Sequence, residues 1–182
     1  EAKGDWILFL DADDIITEEH LESLLKTIFK SGSDIAVSDW LEFHSSIPSS
    51  DVTLKNSNDS SSFEGIERQY ATGSPSTIAK QQHLLDYSIA SAPWAIHCAL
   101  IEQSIFEKKE VWWNTRLDSL PSEDTAFWFR IVQAKNISYS GSPSALYRVE
   151  TSNSRNDFEN LELWFSALSA VHKSNLDYLE QQ

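Results

Sequence analysis

Asp11, Asp13 and Asp14 stand together where the run Trp6-Ile7-Leu8-Phe9-Leu10 ends. Carboxylates this close repel one another unless a cation or hydrogen-bond donors neutralise them. Their oxygens are also the ligands a hard divalent cation takes, Mg²⁺ and Mn²⁺ included. In an extended chain Asp11 and Asp13 would share a face, with Cα atoms about 6–7 Å apart. The bland alternative is that one of the acids opens a turn or caps the next helix. A second acidic pair, Glu123-Asp124, follows Pro121-Ser122. Alone, it reads as a helix N-terminus that favours negative charge by about 0.3–1 kcal/mol. Its neighbours widen that reading. Trp112 and Trp113 lie upstream, and Phe127, Trp128 and Phe129 downstream. Flat aromatic faces beside a carboxylate suit a sugar, with apolar C–H faces and hydroxyls that need acceptors. Phe127 and Trp128 read as core. Trp112 and Trp113 cannot both face inward on a strand, so one of them lines a surface or a cleft.

These residues need a frame. Five bulky apolar residues at 6–10 predict a central strand, buried on both faces. Ligands in open α/β sheets bind beyond the carboxyl ends of such strands. Thr17 before Glu18-Glu19 predicts an N-cap, Leu21, Leu24, Leu25, Ile28 and Phe29 a helix, and Gly32 its stop. Residues 34–43 read as the next strand, with 34–40 the expected neighbour of the first. Residues 44–62, rich in Ser, Asn and Asp, read as a flexible surface loop. Short helices are expected at 63–70, 76–90 and 104–109, an extended segment at 93–100, and a helix from about 123 to 134 capped by Ser122. Short strands are expected at 137–139 and 145–149. Residues 157–180 predict a long amphipathic helix, with Phe158, Leu161, Phe165, Leu168 and Leu179 close to one stripe.

Composition excludes some classes. The chain has 182 residues, 28 Asp plus Glu against 14 Lys plus Arg, and a net charge of −14. Such a surface does not attract nucleic acid. Cys98 is the only cysteine, so no internal disulfide forms, in keeping with a reducing cytoplasm. No apolar run reaches the ~20 residues that span a bilayer, and no signal peptide is visible.

Four stretches, taken in order, resemble the inverting glycosyltransferases of family 2, which have the GT-A fold. They are Ala2-Lys3-Gly4-Asp5-Trp6 leading into Asp11-Ala12-Asp13-Asp14, Pro93-Trp94, Ser122-Glu123-Asp124, and Leu146-Tyr147-Arg148. The resemblance implies an α/β fold, a mixed sheet flanked by helices, without the family's N-terminal nucleotide-binding half. It implies a partial GT-A domain over 1–155 and a C-terminal helix at 156–182 packing on it. It implies Mn²⁺ or Mg²⁺ held by Asp13 and Asp11. The family's histidine after Tyr-Arg is replaced by Glu150, a carboxylate that could serve the same cation. Asp11, Asp13, Asp14 and Arg148 would contact a nucleotide-diphospho-sugar donor, with a UDP-sugar the expected kind. Asp124 would be the general base, and Glu123, Trp94, Trp112 and Trp113 would line the side of a saccharide or lipid-linked saccharide acceptor. The placement implied is cytoplasmic, at the inner face of a bacterial membrane, in cell-surface polysaccharide synthesis. The first strand would keep an open apolar edge, inviting self-association and leaving residues 1–182 alone without transfer activity.

Two other classes compete. A haloacid-dehalogenase-type phosphatase also sets Asp-x-Asp after an apolar strand. It needs a small flexible residue next, where this chain has Asp14-Ile15-Ile16. A non-catalytic binding module would keep the fold and lack the chemistry. An EF-hand loop fails for want of its glycine and its twelfth-position Glu.

Overall fold

The computed structural model describes residues 2–44, 66–69, 88–89, 92–107, 113–134, 136–141, 144–149 and 160–181. The elements run β1 (Trp6–Ile7), β2 (Ile15–Ile16), α1 (His20–Ser31), β3 (Ile35–Val37), β4 (Trp40–His44) and β5 (Ile66–Gln69). Then come β6 (Ala99–Glu102), α2 (Asp124–Ala134), β7 (Ile137–Tyr139), β8 (Ala145–Val149) and α3 (Leu161–Leu179). The strands form two mixed four-stranded sheets, ordered β1-β6-β3-β7 and β2-β8-β4-β5.

The first sheet is covered on both faces because β3 alternates. Ala36 turns toward α1 with Leu24, Ile28 and Leu100. Ile35 and Val37 turn the other way, into a core with Trp94, Cys98, Ile101, Ile105, Phe127, Trp128 and Ile131. This is the expected mixed sheet flanked by helices, and Phe127 and Trp128 are core as read. Gly32 stops α1 at φ 68°, its N–H bonded to the Ile28 carbonyl.

Several expectations are corrected. The neighbour of β1 is β6, antiparallel, and not residues 34–40. Among the described residues β1 lies at the sheet edge, which leaves Phe9 37 % and Leu10 48 % exposed. Residues 34–43 are not one strand. The chain crosses between sheets at Ser38-Asp39, both buried, where Ser38 N–H bonds the Cys98 carbonyl and the Tyr139 hydroxyl donates to Asp39. Residues 66–69 form a strand, not a helix, because they pair antiparallel with β4. Residues 103–107 form a 3-10 turn. Helix α1 starts at His20 after Glu19, while Thr17 bonds back to Ser144 across the second sheet.

The last helix is turned relative to the expected stripe. It buries Ala167, Val171, Ser174, Asn175 and Tyr178, and leaves Leu161, Phe165 and Leu179 outward. The surface it meets is partly polar: Asn114 Nδ2 and Arg130 Nη2 both donate to Ser174 Oγ, at 2.9 and 2.8 Å. Leu117 and Ala126 receive Val171 beside them. A groove of this kind takes small and polar residues better than leucines. Phe158 and most of the expected loop at 44–62 lie outside the described residues, as does all but Ser88-Ile89 of the segment 76–90.

Candidate active site

The first acidic cluster sits in a turn, not in an extended strand end. Asp14 N–H bonds the Asp11 carbonyl at 3.2 Å, closing residues 11–14. Aspartate favours the first position of such turns, and short acidic runs are poor strand formers. The shared-face geometry expected of Asp11 and Asp13 therefore does not hold, although both side chains are exposed.

Asp14 points the opposite way. It is buried, and its Oδ1 accepts from the Arg148 backbone N–H at 2.8 Å. Its Oδ2 lies 2.9 Å from His97 Nδ1, an ion-pair distance without hydrogen-bond alignment. Arg148 returns the link, its Nε donating to the Asp13 carbonyl at 2.9 Å. The pairing of β2 with β8, Ile15 opposite Leu146, brings these residues together. Asp14 thus anchors the turn that presents Asp11 and Asp13. His97 stacks on Tyr147 with its ring nearly parallel, centroids 6.2 Å apart, and its carbonyl lies 3.0 Å from His20 Nε2. His20 Nδ1 sits 2.6 Å from Ser144 Oγ. Burial pushes the His20 imidazole down to about 4.

The second cluster closes on the first through aromatic contacts. Phe9, two residues before Asp11, meets Phe127 edge-to-face at 5.9 Å and Phe106 at 5.8 Å. Phe127 follows Asp124 by one helical turn, so the Asp11 turn and the start of α2 share a floor of phenylalanines. The backbone N–H groups of Asp124 and Thr125, at the start of α2, favour the ionised form of the Asp124 carboxyl. A helix N-terminus was expected to keep it ionised. Instead its carboxyl is pushed up to about 7. Desolvation comes first, then the charge of Glu123, and Asp11 adds to it; together these outweigh the two N–H groups. Ser122, just before, holds φ at 59°, a strained left-handed backbone for serine, and its carbonyl accepts from Thr125 N–H.

The other expected residues divide. Trp113 is half-buried against Phe127, centroids 5.5 Å apart, and its Nε1 donates to Asp118 Oδ1 at 2.6 Å. Glu123 is half-buried beside Asp124. Trp94 is corrected: it is 1 % exposed and packs edge-to-face on Trp128, so it is core and not an acceptor surface. Trp112 and Glu150 lie outside the described residues. His97 and His20 carry no spacing signal in the sequence, because each is a lone histidine whose partners are 77 to 124 residues away. Among the described residues no three His, Cys, Asp or Glu side chains are grouped to hold a metal. Asp11 and Asp13 do fit a cation of the kind that takes one or two protein carboxylates and completes its shell with substrate phosphates.

The chain runs from a β-strand through an acidic turn to the half-buried Asp124 carboxyl at the start of α2. Crystal structures of S. aureus TarS 1-349 match it. The unliganded structure gives a TM-score of 0.54 at 14 % identity, covering 96 % of this chain and 41 % of that one. The complex with UDP gives 0.53 at 14 %, covering 93 % and 41 %. The complex with UDP-GlcNAc gives 0.60 at 13 %, covering 95 % and 43 %. This chain therefore spans less than half the length of those chains. Residues 1–83 match the family model described as glycosyl transferase family 2. No curated protein sequence gives a significant match. Among the described residues no helix is long and apolar enough to cross a membrane.

Proposed function

We propose that this chain contributes the catalytic-base and diphosphate-facing part of a glycosyltransferase. The enzyme would move a sugar from a nucleotide-diphospho-sugar to an acceptor hydroxyl with inversion. One observation carries this reading: the Phe9–Phe127 contact brings the exposed turn of Asp11 and Asp13 beside the start of α2, where desolvation, then Glu123, with Asp11 adding, raise the Asp124 carboxyl to about 7. A base that titrates near working pH can take a proton without being too weak to do so. In this reading Asp124 removes the proton from the attacking hydroxyl. The half-buried Glu123 and Trp113 flank the acceptor beside it. General-base assistance of this kind contributes about 10²- to 10⁴-fold.

Asp13 and Asp11 would hold Mn²⁺ or Mg²⁺, with Glu150 a candidate third ligand. The cation would supply Lewis-acid stabilisation of the departing diphosphate. Arg148 donates through Nε to the Asp13 carbonyl, a bond that would orient the turn toward the donor. Asp14 supports the turn and is not itself placed to meet the donor, since its oxygens are taken by Arg148 and His97. UDP-GlcNAc, present in one of the TarS structures, is the first donor to try. A saccharide or lipid-linked saccharide acceptor, and a site of action at the cytoplasmic membrane face, follow from the same reading.

The test is Asp13→Asn in the whole glycosyltransferase, titrated with the sugar nucleotide in the presence and absence of Mn²⁺. Asp13 is exposed, so the fold should survive. The expected result is loss of the manganese-dependent part of donor binding. Equal donor affinity in variant and parent, with manganese still effective, would remove Asp13 from the site.

A further inference from the structure

Helix α3 carries a second apolar face that the fold does not use. At about 100° per residue, Leu161, Phe165, Leu168, His172, Leu176 and Leu179 fall within an arc of roughly 80°. That arc is centred about 110° from the buried face of Ala167, Val171, Ser174, Asn175 and Tyr178 and borders it at the half-buried Leu168. Leu161 is 61 % exposed, Phe165 68 %, Leu176 60 % and Leu179 46 %. We propose that this stripe pairs with the same stripe of a second copy of the chain, the two α3 helices antiparallel about a two-fold axis near position 170.

The spacing supports a self-pair. The steps along the stripe alternate between four and three residues, as in a coiled-coil seam, apart from one extra step of four at Leu176. Reversed, the stripe matches itself. Leu161 meets Leu179 of the second copy, Phe165 meets Leu176, and Leu168 meets His172. A two-fold interface requires this kind of self-complementarity. The exposed apolar area is on the order of 400 Å² per chain, as large as the largest patch on an ordinary monomer. Pairing would bury about twice that in total, at the low end for specific interfaces, so the dimer should be weak and concentration-dependent. The net charge of −14 on each copy opposes it, so added salt should strengthen it. The polar His172 opposite Leu168 is the weakest layer.

Sedimentation of the chain over about 1–100 μM tests the proposal, with half-dimerisation expected at tens of micromolar. Phe165→Asp should weaken association at least about tenfold, and His172→Leu should tighten it by a similar factor. Circular dichroism should show both variants folded, since both positions are exposed. Orientation is read by cross-linking. An equal mixture of Leu161→Cys and Leu179→Cys chains should form a disulfide between copies, while Leu179→Cys alone should not. The native Cys98 is buried and does not compete. A chain monomeric throughout this range overturns the proposal. So does a dimer indifferent to Phe165→Asp, which would move association to another surface such as the β1 edge. A monomer that binds phosphatidylcholine vesicles through Phe165 would assign the stripe to a lipid surface instead.

Discussion

Asp14→Ala should destabilise the fold by about 2–4 kcal/mol. The substitution leaves the partly buried Arg148 backbone N–H without its acceptor, at a cost of about 1–3 kcal/mol. It also removes the carboxylate from beside His97, a buried ring 2.9 Å away whose contact is unaligned and contributes less, about 1 kcal/mol. Little is lost to solvent screening, because the Asp14 side chain is only 3 % exposed. Asp14→Asn keeps an oxygen for Arg148 and should cost about half as much. In a chain of this size 1 kcal/mol is worth about 2–4 °C, so the alanine variant should melt roughly 5–15 °C lower. Urea unfolding followed by tryptophan fluorescence reads both variants. The turn 11–14 is tied down by this residue, so donor binding should weaken in parallel with stability. An alanine variant within about 0.5 kcal/mol of the parent, the scatter of ordinary surface substitutions, would refute the anchoring role. An asparagine variant as damaged as alanine would show that charge, not the Arg148 bond, dominates.

Two pH effects follow with opposite signs. His20 is held at about 4 against an ordinary 6.5, so the unfolded chain binds the extra proton between those values. Stability should fall by up to about 3 kcal/mol as pH drops from 6.5 to 4, and His20→Gln should flatten that slope in acid urea titrations. Asp124 is raised to about 7 from 3.8, so its ionised form is the less stable one in the fold. Its contribution is absent below pH 4 and grows more unfavourable up to about pH 7. Asp124→Asn should therefore raise the melting temperature at pH 8 and leave it unchanged at pH 3.5, a contrast that calorimetry at the two values checks.

Local chemistry was legible where one short segment decides it. The α1 stripe and its Gly32 stop, the core role of Phe127 and Trp128, and α2 beginning with an acidic pair all stand in the structure. Long-range pairing decides the rest. The run at 6–10 reads as a central strand whichever partner it takes, and only the β1–β6 register shows which it is. The sequence at 66–69 carries no pattern strong enough to predict the strand that pairing with β4 creates. The two acidic clusters were visible as clusters. Their approach depends on Phe9 meeting Phe127, a contact between residues 118 positions apart. The raised Asp124 carboxyl follows from desolvation first and then from Glu123, the one contributor visible in the sequence, while the desolvation and the added charge of Asp11 depend on the fold. The apolar stripe of α3 was visible, but which face the helix buries was set by Asn114 and Arg130 reaching Ser174.

The most direct test of the whole account is the transfer rate of Asp124→Asn in the whole glycosyltransferase, measured with donor affinity on the same preparation. The substitution is nearly isosteric and takes away only the proton acceptor. The account predicts a rate lower by about 10²-fold or more with donor binding retained, and a parent rate that climbs as pH rises through about 7. Transfer at the parental rate would contradict it. So would donor affinity lost together with activity, which would place Asp124 with the cation and diphosphate and leave the base elsewhere.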